Sequence, residues 1–572
     1  MWILGIAGSH NSGAALIEDG KVVVAVQSER LVRVKRQSIT LGRMGTTAGV
    51  VIRYCLRYAG IDLHDLDAIA TCTPWESIRP QFAFQEPVPT PPSLPPFVTV
   101  PHHLAHAEYA LHYSPMVPCF VLVCDGSGTF ESDRPQLDIQ EQEENALKYV
   151  RNGGKESISA YVFDGANLKL TYRIAYGEES DPRANPELAD PRGPRWLASL
   201  GHLWEWCAVY CHGSFHEAGK SMGLAPFGDP SVHADLDTLS IDERGEMRIN
   251  LQGLFHRFRS PNKLAADITG NKHYEDVAAH VQHVTNEFLV ALIQFLRTLY
   301  DTPHVCYSGG VALNAIANEY MRDRLGLRLH MNGSCEDNGT AIGAALAVYH
   351  SMSGRRVAEE VTDYYGRHYA SRDIEDALCS YPGRVVKLSR AELLRQAVSA
   401  LTSQSVVGWF QGRSEFGPRA LGNRSILADP RHGHMQDILN RCVKRREAFR
   451  PYAPAVVEER ASEFFELEGP SPVMLRVVKV RSKFLPAITH VDGSARVQTV
   501  SRLQNPLFYD LLNAFGAEIG FPVLLNTSFN ISGEPIVETP SDALLTFARS
   551  NMDVLFLGDF LVHPRCCSNQ KR

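Results

Sequence analysis

Apolar and polar positions alternate in short blocks at the start of the chain. WILGIAGSHNSGAALIEDGKVVVAVQSER reads as a strand, a Gly/Ser turn, a second strand, a tight turn at Asp19-Gly20 and a third strand. The same pattern returns further on. CFVLVCDGSGTF is an apolar strand entering a Gly/Ser turn, and SAYVFDGANLKLTY is a hairpin turning at Asp164-Gly165. Between the two lies the charged stretch 133–145, expected as an exposed loop or short surface helix. Two copies of one strand–turn–strand–turn–strand unit predict an internal duplication.

A change of period marks the next elements. Val277, Val281, Val284, Phe288, Leu292, Phe295 and Leu299 recur at helical spacing and predict a long helix over 274–300. PHVCYSGGVALNAIANEYMRD follows as a strand, a Ser308-Gly309-Gly310 turn and a helix. Such a turn lets backbone N–H groups approach a phosphate, although many α/β folds use it for packing alone. In CEDNGTAIGAALAVYH, Asp337 precedes a small-residue helix, where an N-cap is the plainest reading. The pattern loosens over about 351–384 and restarts as strand, helix, strand in RVVKLSRAELLRQAVSALTSQSVVGWFQG. This predicts two domains, 1–352 and 385–572, joined by a linker at 353–384.

Composition narrows the function classes. The 572 residues are 44% hydrophobic and 21% charged, with a formal net charge of −7, which argues against binding driven by nucleic-acid phosphates. No apolar run approaches the roughly 18 residues of a membrane helix. The opening MWILGIAG reads as a buried strand, not a secretory signal. Twelve scattered cysteines without a CxxC pair fit a reducing, cytoplasmic setting.

Chemistry concentrates in two places. VPHHLAHAEYAL carries His102, His103 and His106. On a helix, His102 and His106 share a face and could hold one ion, with His103 about 100° away. Asp125, at the end of an apolar strand, and Asp337 are the candidate oxygen ligands. Surface or internally satisfied histidines are the alternative. In the C-terminal half, Arg413, Arg419, Arg424, Arg431, Lys444, Arg445, Arg446, Arg450 and Arg496 fall in turn-rich stretches, with Asn526, Thr527, Ser528 and Asn530 after an apolar strand. Arginine forks suit phosphate and carboxylate oxygens, so a polyanionic ligand competes with a solvated basic face.

These motifs stand in one order: HHLAHA, CDGSG, HEAGKSMGLAPFG, YSGGVALN, CEDNGTAIGAAL, GRSEFGPRALGNRSILADPR, KRREAFRPYAPAV and FPVLLNTSFNISGEPIVETP. In this the chain resembles, over nearly its whole length, the O-carbamoyltransferases of antibiotic biosynthesis, the tobramycin, novobiocin and cephamycin type. The resemblance implies an α/β chain. Its N-terminal half would be a duplicated ATPase fold of the actin/sugar-kinase/Hsp70 type, like the threonylcarbamoyl transferase of tRNA modification, and its C-terminal half YrdC-like. It also implies a two-step reaction: carbamoyl phosphate and ATP (with Mg2+) give carbamoyl adenylate and pyrophosphate, then a small-molecule hydroxyl takes the carbamoyl group and AMP leaves.

The resemblance further assigns roles. His102, His106, Asp125 and Asp337 would bind a divalent metal, Fe2+ first among the options. Lys220, Gly309, Gly310, Asn314 and Asp337 would meet the nucleotide. His10 would be the general base, with Lys35 near the acceptor or phosphate site. Arg419, Lys444, Arg450, Arg496, Asn526 and Ser528 would hold carbamoyl phosphate and ATP. Family members usually read His-Asp where this chain reads His10-Asn11, which puts in question any carboxylate role at position 11. A homodimer without nucleic-acid or membrane partners completes the expectation. The alternatives are a tRNA threonylcarbamoyl-type transferase, a nucleotide-binding regulatory ATPase of the same fold, and a hydrogenase-maturation carbamoyl carrier. The last would be expected to bring acylphosphatase and zinc-finger segments.

Overall fold

A computed structural model describes residues 1–38, 47–72, 95–129, 137, 146–150, 154–176, 199–250, 253–254, 257–258, 270–357 and 362–564. The chain forms two compact units. The first comprises Met1–Ser28 and Ser38–Glu360, the second Glu29–Gln37 and Val361–Arg572. The charged stretch 133–145, apart from Leu137, lies outside the described residues, as does the Cys566-Cys567 pair. Among the described residues no helix is long and apolar enough to cross a membrane.

In the first unit, β1 (Trp2–Ala7), β2 (Gly13–Glu18), β3 (Lys21–Gln27), β4 (Ala68–Thr71) and β5 (Phe97–Thr99) form a sheet in the order β3-β2-β1-β4-β5. The second sheet holds β6 (Cys119–Cys124), β7 (Leu147–Val150), β8 (Lys155–Phe163) and β9 (Leu168–Tyr176). A separate two-stranded ribbon follows, β10 (Leu239–Ile241) with β11 (Met247–Ile249), and then β12 (His304–Ser308) and β13 (Arg328–His330). The second sheet runs β13-β12-β6-β8-β9-β7. Read from β9 to β13, it repeats the first sheet strand for strand. In each, the first strand pairs antiparallel with the second and parallel with the fourth, the second pairs antiparallel with the third, and the fourth parallel with the fifth. The duplication predicted from the pattern is therefore present in topology. β6 is buried at every position, as expected for a central strand covered on both faces.

The helix Thr340–Ser353 packs on both β1 and the helix His102–Leu111, and its small residues allow the approach. A Cβ at Gly343 would stand 1.7 Å from the carbonyl oxygen of Ala105, and one at Gly5 would stand 1.8 Å from that of Ala341. Gly343→Ala is accordingly expected to force the two helices apart, at a cost on the order of 3 kcal/mol. A chemical-denaturation curve checks this.

The second unit is a three-layer sandwich. Its sheet contains β14 (Val385–Lys387), β15 (Val407–Phe410), β16 (Arg424–Ala428), β17 (Ala453–Val457), β20 (Gln498–Val500), β21 (Val523–Ser528), β22 (Val554–Leu557) and β23 (Phe560–Val562), while β18 (Val477–Lys479) and β19 (Ser494–Arg496) pair separately. The order is β14-β23-β22-β15-β16-β21-β17-β20. Strand alternation divides its apolar side chains between two cores. Val407, Trp409 and Leu524 face the helices Arg390–Thr402 and Pro506–Ile519. Phe410, Ile426 and Leu525 face Ser371–Leu378 and Pro540–Arg549. The expected linker 353–384 thus contains a helix, Ser371–Leu378, whose Ile374 and Leu378 belong to this second core. Its apolar positions are few and widely spaced, which is why the local pattern reads as a junction.

Candidate metal centre and cation cluster

The candidate metal site is built on the helix His102–Leu111, which begins directly after Pro101. His102 and His106 lie one turn apart and are buried, with their Nε2 atoms 3.2 Å from each other. Asp125 Oδ2 is 3.2 Å from His102 Nε2 and 3.9 Å from His106 Nε2, while Asp337 Oδ1 is 3.6 and 3.8 Å from the same atoms. One ligand atom from each of the four residues lies within 4.8 Å of all the others. Two nitrogens bound at ~2.1 Å to one tetrahedral ion stand roughly 3.4 Å apart, so the imidazole pair fits a shared ion.

The surroundings aim the donors. Ser308 Oγ donates to the Cys335 carbonyl at 3.2 Å, and so accepts from His106 Nδ1–H at 3.1 Å. That places the His106 proton on Nδ1 and turns the Nε2 lone pair toward the other ligands. Gly310 N–H donates to Asp125 Oδ1 at 2.9 Å, leaving Oδ2 for the centre. The glycine turn thereby orients a ligand carboxylate. Gly309 adopts φ +95°, and a Cβ there would stand 2.1 Å from the Cys124 carbonyl, so glycine is required for the turn to sit against β6. Asp337 does not cap the following helix: the N-cap position is Gly339, without a side-chain bond. The plain N-cap reading of Asp337 therefore gives way, because its carboxylate faces the histidines.

Electrostatics agree with an ion-binding group. Burial pushes the Asp125 carboxyl up, but His102 and His106 outweigh it and the group settles at about 2. Burial also opposes charge on Asp337, yet the two histidines and His10 hold its carboxyl well below the ordinary range. His103 points elsewhere, with Nδ1 2.8 Å from Ser159 Oγ. Burial lowers it to about 4, as it does His202, His280 and His330. Between that value and the ~6.5 of an exposed imidazole, the unfolded chain binds a proton at each of these positions while the folded chain does not. Their contribution to stability is therefore complete above pH 6.5 and is lost as pH falls toward 4. A steep drop in melting temperature across that window is expected in a pH series of thermal melts.

Of the other first-unit candidates, His10 reaches this group, while Asn314 and Lys220 meet other partners. His10 is half-exposed, with Nδ1 3.6 Å from Asp337 Oδ2, and its ring stacks on His216 at 6.2 Å. Asn11 Nδ2 donates to Glu336 Oε2 at 2.9 Å. An aspartate at position 11 would set two carboxylates against each other, so the Asn departure is matched by a local partner. Asn314 caps the helix Ala315–Leu325 and exchanges hydrogen bonds with Gln282. Lys220 lies 3.3 Å from Glu217. Ser308, Glu336 and His216 lie within YSGGVALN, CEDNGTAIGAAL and HEAGKSMGLAPFG, but their residue types alone do not mark them as partners of the site. Only the spacing of Ser308 in the SGG turn hinted at its place.

The second unit gathers cations. Burial, followed by the neighbouring Arg419, Arg446 and Arg450, pushes the Arg496 guanidinium well below its usual range, and its buried Nε has no hydrogen-bond partner among the described residues. Lys444 is likewise pushed well down by burial, then by Arg446, Lys35 and Arg450. Its Nζ meets the Ser528 carbonyl (2.7 Å) and Oγ (3.1 Å), and the Asn530 carbonyl (2.9 Å) and Oδ1 (2.7 Å). Lys444 therefore braces the loop after β21 within the cluster. Asn526 Nδ2 donates to Ala420 O and Gln498 Oε1. Lys35, expected near the acceptor or phosphate site, is part of this second unit. Not every arginine of the basic stretches joins in. Arg413 donates to Gly366 O and Tyr365 O, Arg424 is buried over the Phe410 ring, and Arg431 forks onto Asp429.

The sequence matches the family models of the carbamoyltransferase N-terminus, over residues 2–80 and 91–346, and the carbamoyltransferase C-terminus, over 398–564. The chain belongs to the carbamoyltransferase family. It is 32% identical to nodulation protein NolNO of Sinorhizobium fredii, across 98% of this chain and 80% of that protein. It is 34% identical to the 3'-hydroxymethylcephem-O-carbamoyltransferase of Amycolatopsis lactamdurans, across 60% of this chain and 64% of that one. Among solved structures, full-length HypF in its phosphate- and nucleotide-bound form aligns with 62% of this chain at 14% identity and a TM-score of 0.39. The chain spans 47% of the HypF chain.

Proposed function

We propose that the chain is an ATP-dependent O-carbamoyltransferase that makes carbamoyl adenylate in its YrdC-like second unit and spends it on a small-molecule hydroxyl at the metal centre of the first. The observation that carries this reading is the cation cluster of Arg419, Lys444, Arg446, Arg450 and Arg496, in which burial and then like-charged neighbours depress Lys444 and Arg496, although Arg450 also lies 3.6 Å from Glu447. Desolvated like charges are costly unless an anion joins them. Carbamoyl phosphate and the ATP phosphates supply that charge.

In the first step, water releases orthophosphate from carbamoyl phosphate to leave carbamate. A carbamate oxygen then attacks the α-phosphorus of ATP, the bond to the β-phosphate oxygen breaks, and pyrophosphate departs. Arg419, Arg450 and Arg496 stabilise the charge that develops on the phosphoryl oxygens, while Asn526, Ser528 and Lys444 hold the wall of the site. In the second step the acceptor hydroxyl attacks the carbamoyl carbon and AMP leaves. His10 takes the hydroxyl proton at Nε2, since its Nδ1 faces Asp337. Gly309 and Gly310 border the nucleotide, with Lys220 nearby. His102, His106, Asp125 and Asp337 would hold a divalent ion, Fe2+ being suited to two imidazoles and two carboxylates, and it would supply Lewis-acid polarisation there. The cephem enzyme's name supports transfer to oxygen. Acceptor-facing loops are expected around 76–98 and 178–200, most of which lie outside the described residues.

The test is a rapid-quench experiment without acceptor. Protein, ATP and carbamoyl phosphate together should give a burst of about one pyrophosphate per chain, and neither substrate alone should give any. A burst that ignores carbamoyl phosphate would end this reading.

A further inference from the structure

The helix that carries His102 and His106 has no side-chain cap of its own. Its N-cap residue is Pro101, and its first intrahelical bond runs from Ala105 N–H to the Pro101 carbonyl. The N–H groups ahead of that bond need acceptors from elsewhere. His102 N–H donates to Thr129 Oγ1 at 2.7 Å, and His103 N–H donates to Glu156 Oε2 at 3.3 Å. Both acceptors come from chain that lies beside Asp125. Thr129 is a few residues beyond the end of β6, and Glu156 is in β8, which pairs with β6.

Glu156 is built into that junction. Its N–H donates to the Thr129 carbonyl at 3.2 Å, its carbonyl accepts from Gly128 N–H at 2.7 Å, and its Oε2 also accepts from Thr129 N–H at 3.2 Å. One residue along, the Ser157 carbonyl accepts from Asp125 N–H at 3.0 Å. The Glu156 carboxylate is buried, and Arg173 Nη2 stands 2.9 Å from its Oε1, so its charge is matched. The pairing of β8 with β9 shifts register between Glu156 and Ile158, an irregularity of the kind that re-aims a side chain. A Cβ at Gly128 would stand 2.6 Å from Glu156 Oε2 and 2.8 Å from His103 Cδ2, so the last glycine of CDGSG keeps the path to the helix open. These contacts hold the backbone of His102 and Asp125 and leave their side chains to the ion.

We propose that Glu156, with Thr129, positions the metal site: its carboxylate, paired to Arg173, ties the first turn of the helix His102–Leu111 to the strand end that presents Asp125, and so fixes the separation of the His102 imidazole and the Asp125 carboxylate. This rests on the metal-binding part of the function proposed above. Glu156 touches neither ion nor substrate and acts through His102 and Asp125, which come from different elements. A negative charge beside the helix N-terminus also favours the helix itself.

The experiment is a Co2+ titration of the full chain stripped of metal, read by the visible absorption of the bound ion, with thermal melts of the same metal-free samples. Glu156→Ala is expected to weaken Co2+ binding by about 30-fold. Glu156→Gln keeps an oxygen for the two N–H groups and should stay within about threefold of wild type. Thr129→Val removes the acceptor of His102 N–H alone, should weaken binding by about 10-fold, and decides the matter if Glu156→Ala fails to fold. A residue that serves only the fold would lower the melting temperature and leave Co2+ affinity unmoved. Wild-type affinity in folded Glu156→Ala, or in Thr129→Val where that variant decides, would overturn the inference alone. A wild-type chain whose Co2+ absorption survives His106→Ala unchanged would overturn the metal-binding reading and the inference with it.

Discussion

His106→Ala is expected to release the bound metal and reduce carbamoyl transfer by on the order of 10^3-fold, while carbamoyl-phosphate-dependent pyrophosphate release survives within about twofold. His106 is fully buried, its Nδ1 is committed to Ser308, and its Nε2 faces Asp125, Asp337 and His102. His103 cannot take its place, being turned to Ser159 on the other side of the helix. Removing one imidazole also leaves two carboxylates facing a single histidine, which weakens any divalent ion's hold. Metal content per chain and the two half-reactions, measured on one preparation, separate this outcome from misfolding. Loss of both half-reactions together would show that the metal centre does not serve the transfer step alone.

The second large effect has opposite signs in stability and activity. Arg496→Met is expected to raise the melting temperature of the ligand-free protein by a few degrees, roughly 1–2 kcal/mol, while cutting pyrophosphate release by about 10^3-fold. The buried Nε of Arg496 lacks a hydrogen-bond partner among the described residues, and burial together with the charges of Arg419, Arg446 and Arg450 disfavours its protonated form. A methionine of similar length fills the space without that repulsion, so folding gains what binding loses. With carbamoyl phosphate and ATP present, the wild-type chain should recover its disadvantage, because the ligands neutralise the cluster. Thermal melts with and without the two ligands measure both halves. A variant less stable than wild type without ligands would mean that Arg496 is held by the fold instead of held for a ligand.

The strands were legible because apolar runs end at Gly/Ser and Asp-Gly turns, and the long helix because its period is clean. The same runs exposed the duplication, which the sheet topology of the first unit repeats pairing by pairing. At the site, i, i+4 geometry on one helix pointed to His102 and His106, and the strand end pointed to Asp125. What the sequence withheld depends on distant partners. Ser308 looks like a turn residue until His106 is placed beside it. Asp337 looks like a cap because local pattern cannot say that Gly343 lets two helices close to within reach of the histidines. Lys444 reads as one basic residue in KRREAFRP, yet its ammonium is held by Ser528 and Asn530, far along the chain. ERLVRVK offers no sign that it leaves the first unit, since Gly417, Pro535, Ile536 and Glu538 are what draw it away.

The measurement that bears most directly on the central claim is a 31P NMR time course of the purified chain with ATP and carbamoyl phosphate, with a polyhydroxylated acceptor added last. The account predicts pyrophosphate and orthophosphate before the acceptor, and AMP accumulating with carbamoylated acceptor afterwards. ADP as the nucleotide product, with or without carbamoyl phosphate, would contradict it and make the chain a kinase-like ATPase.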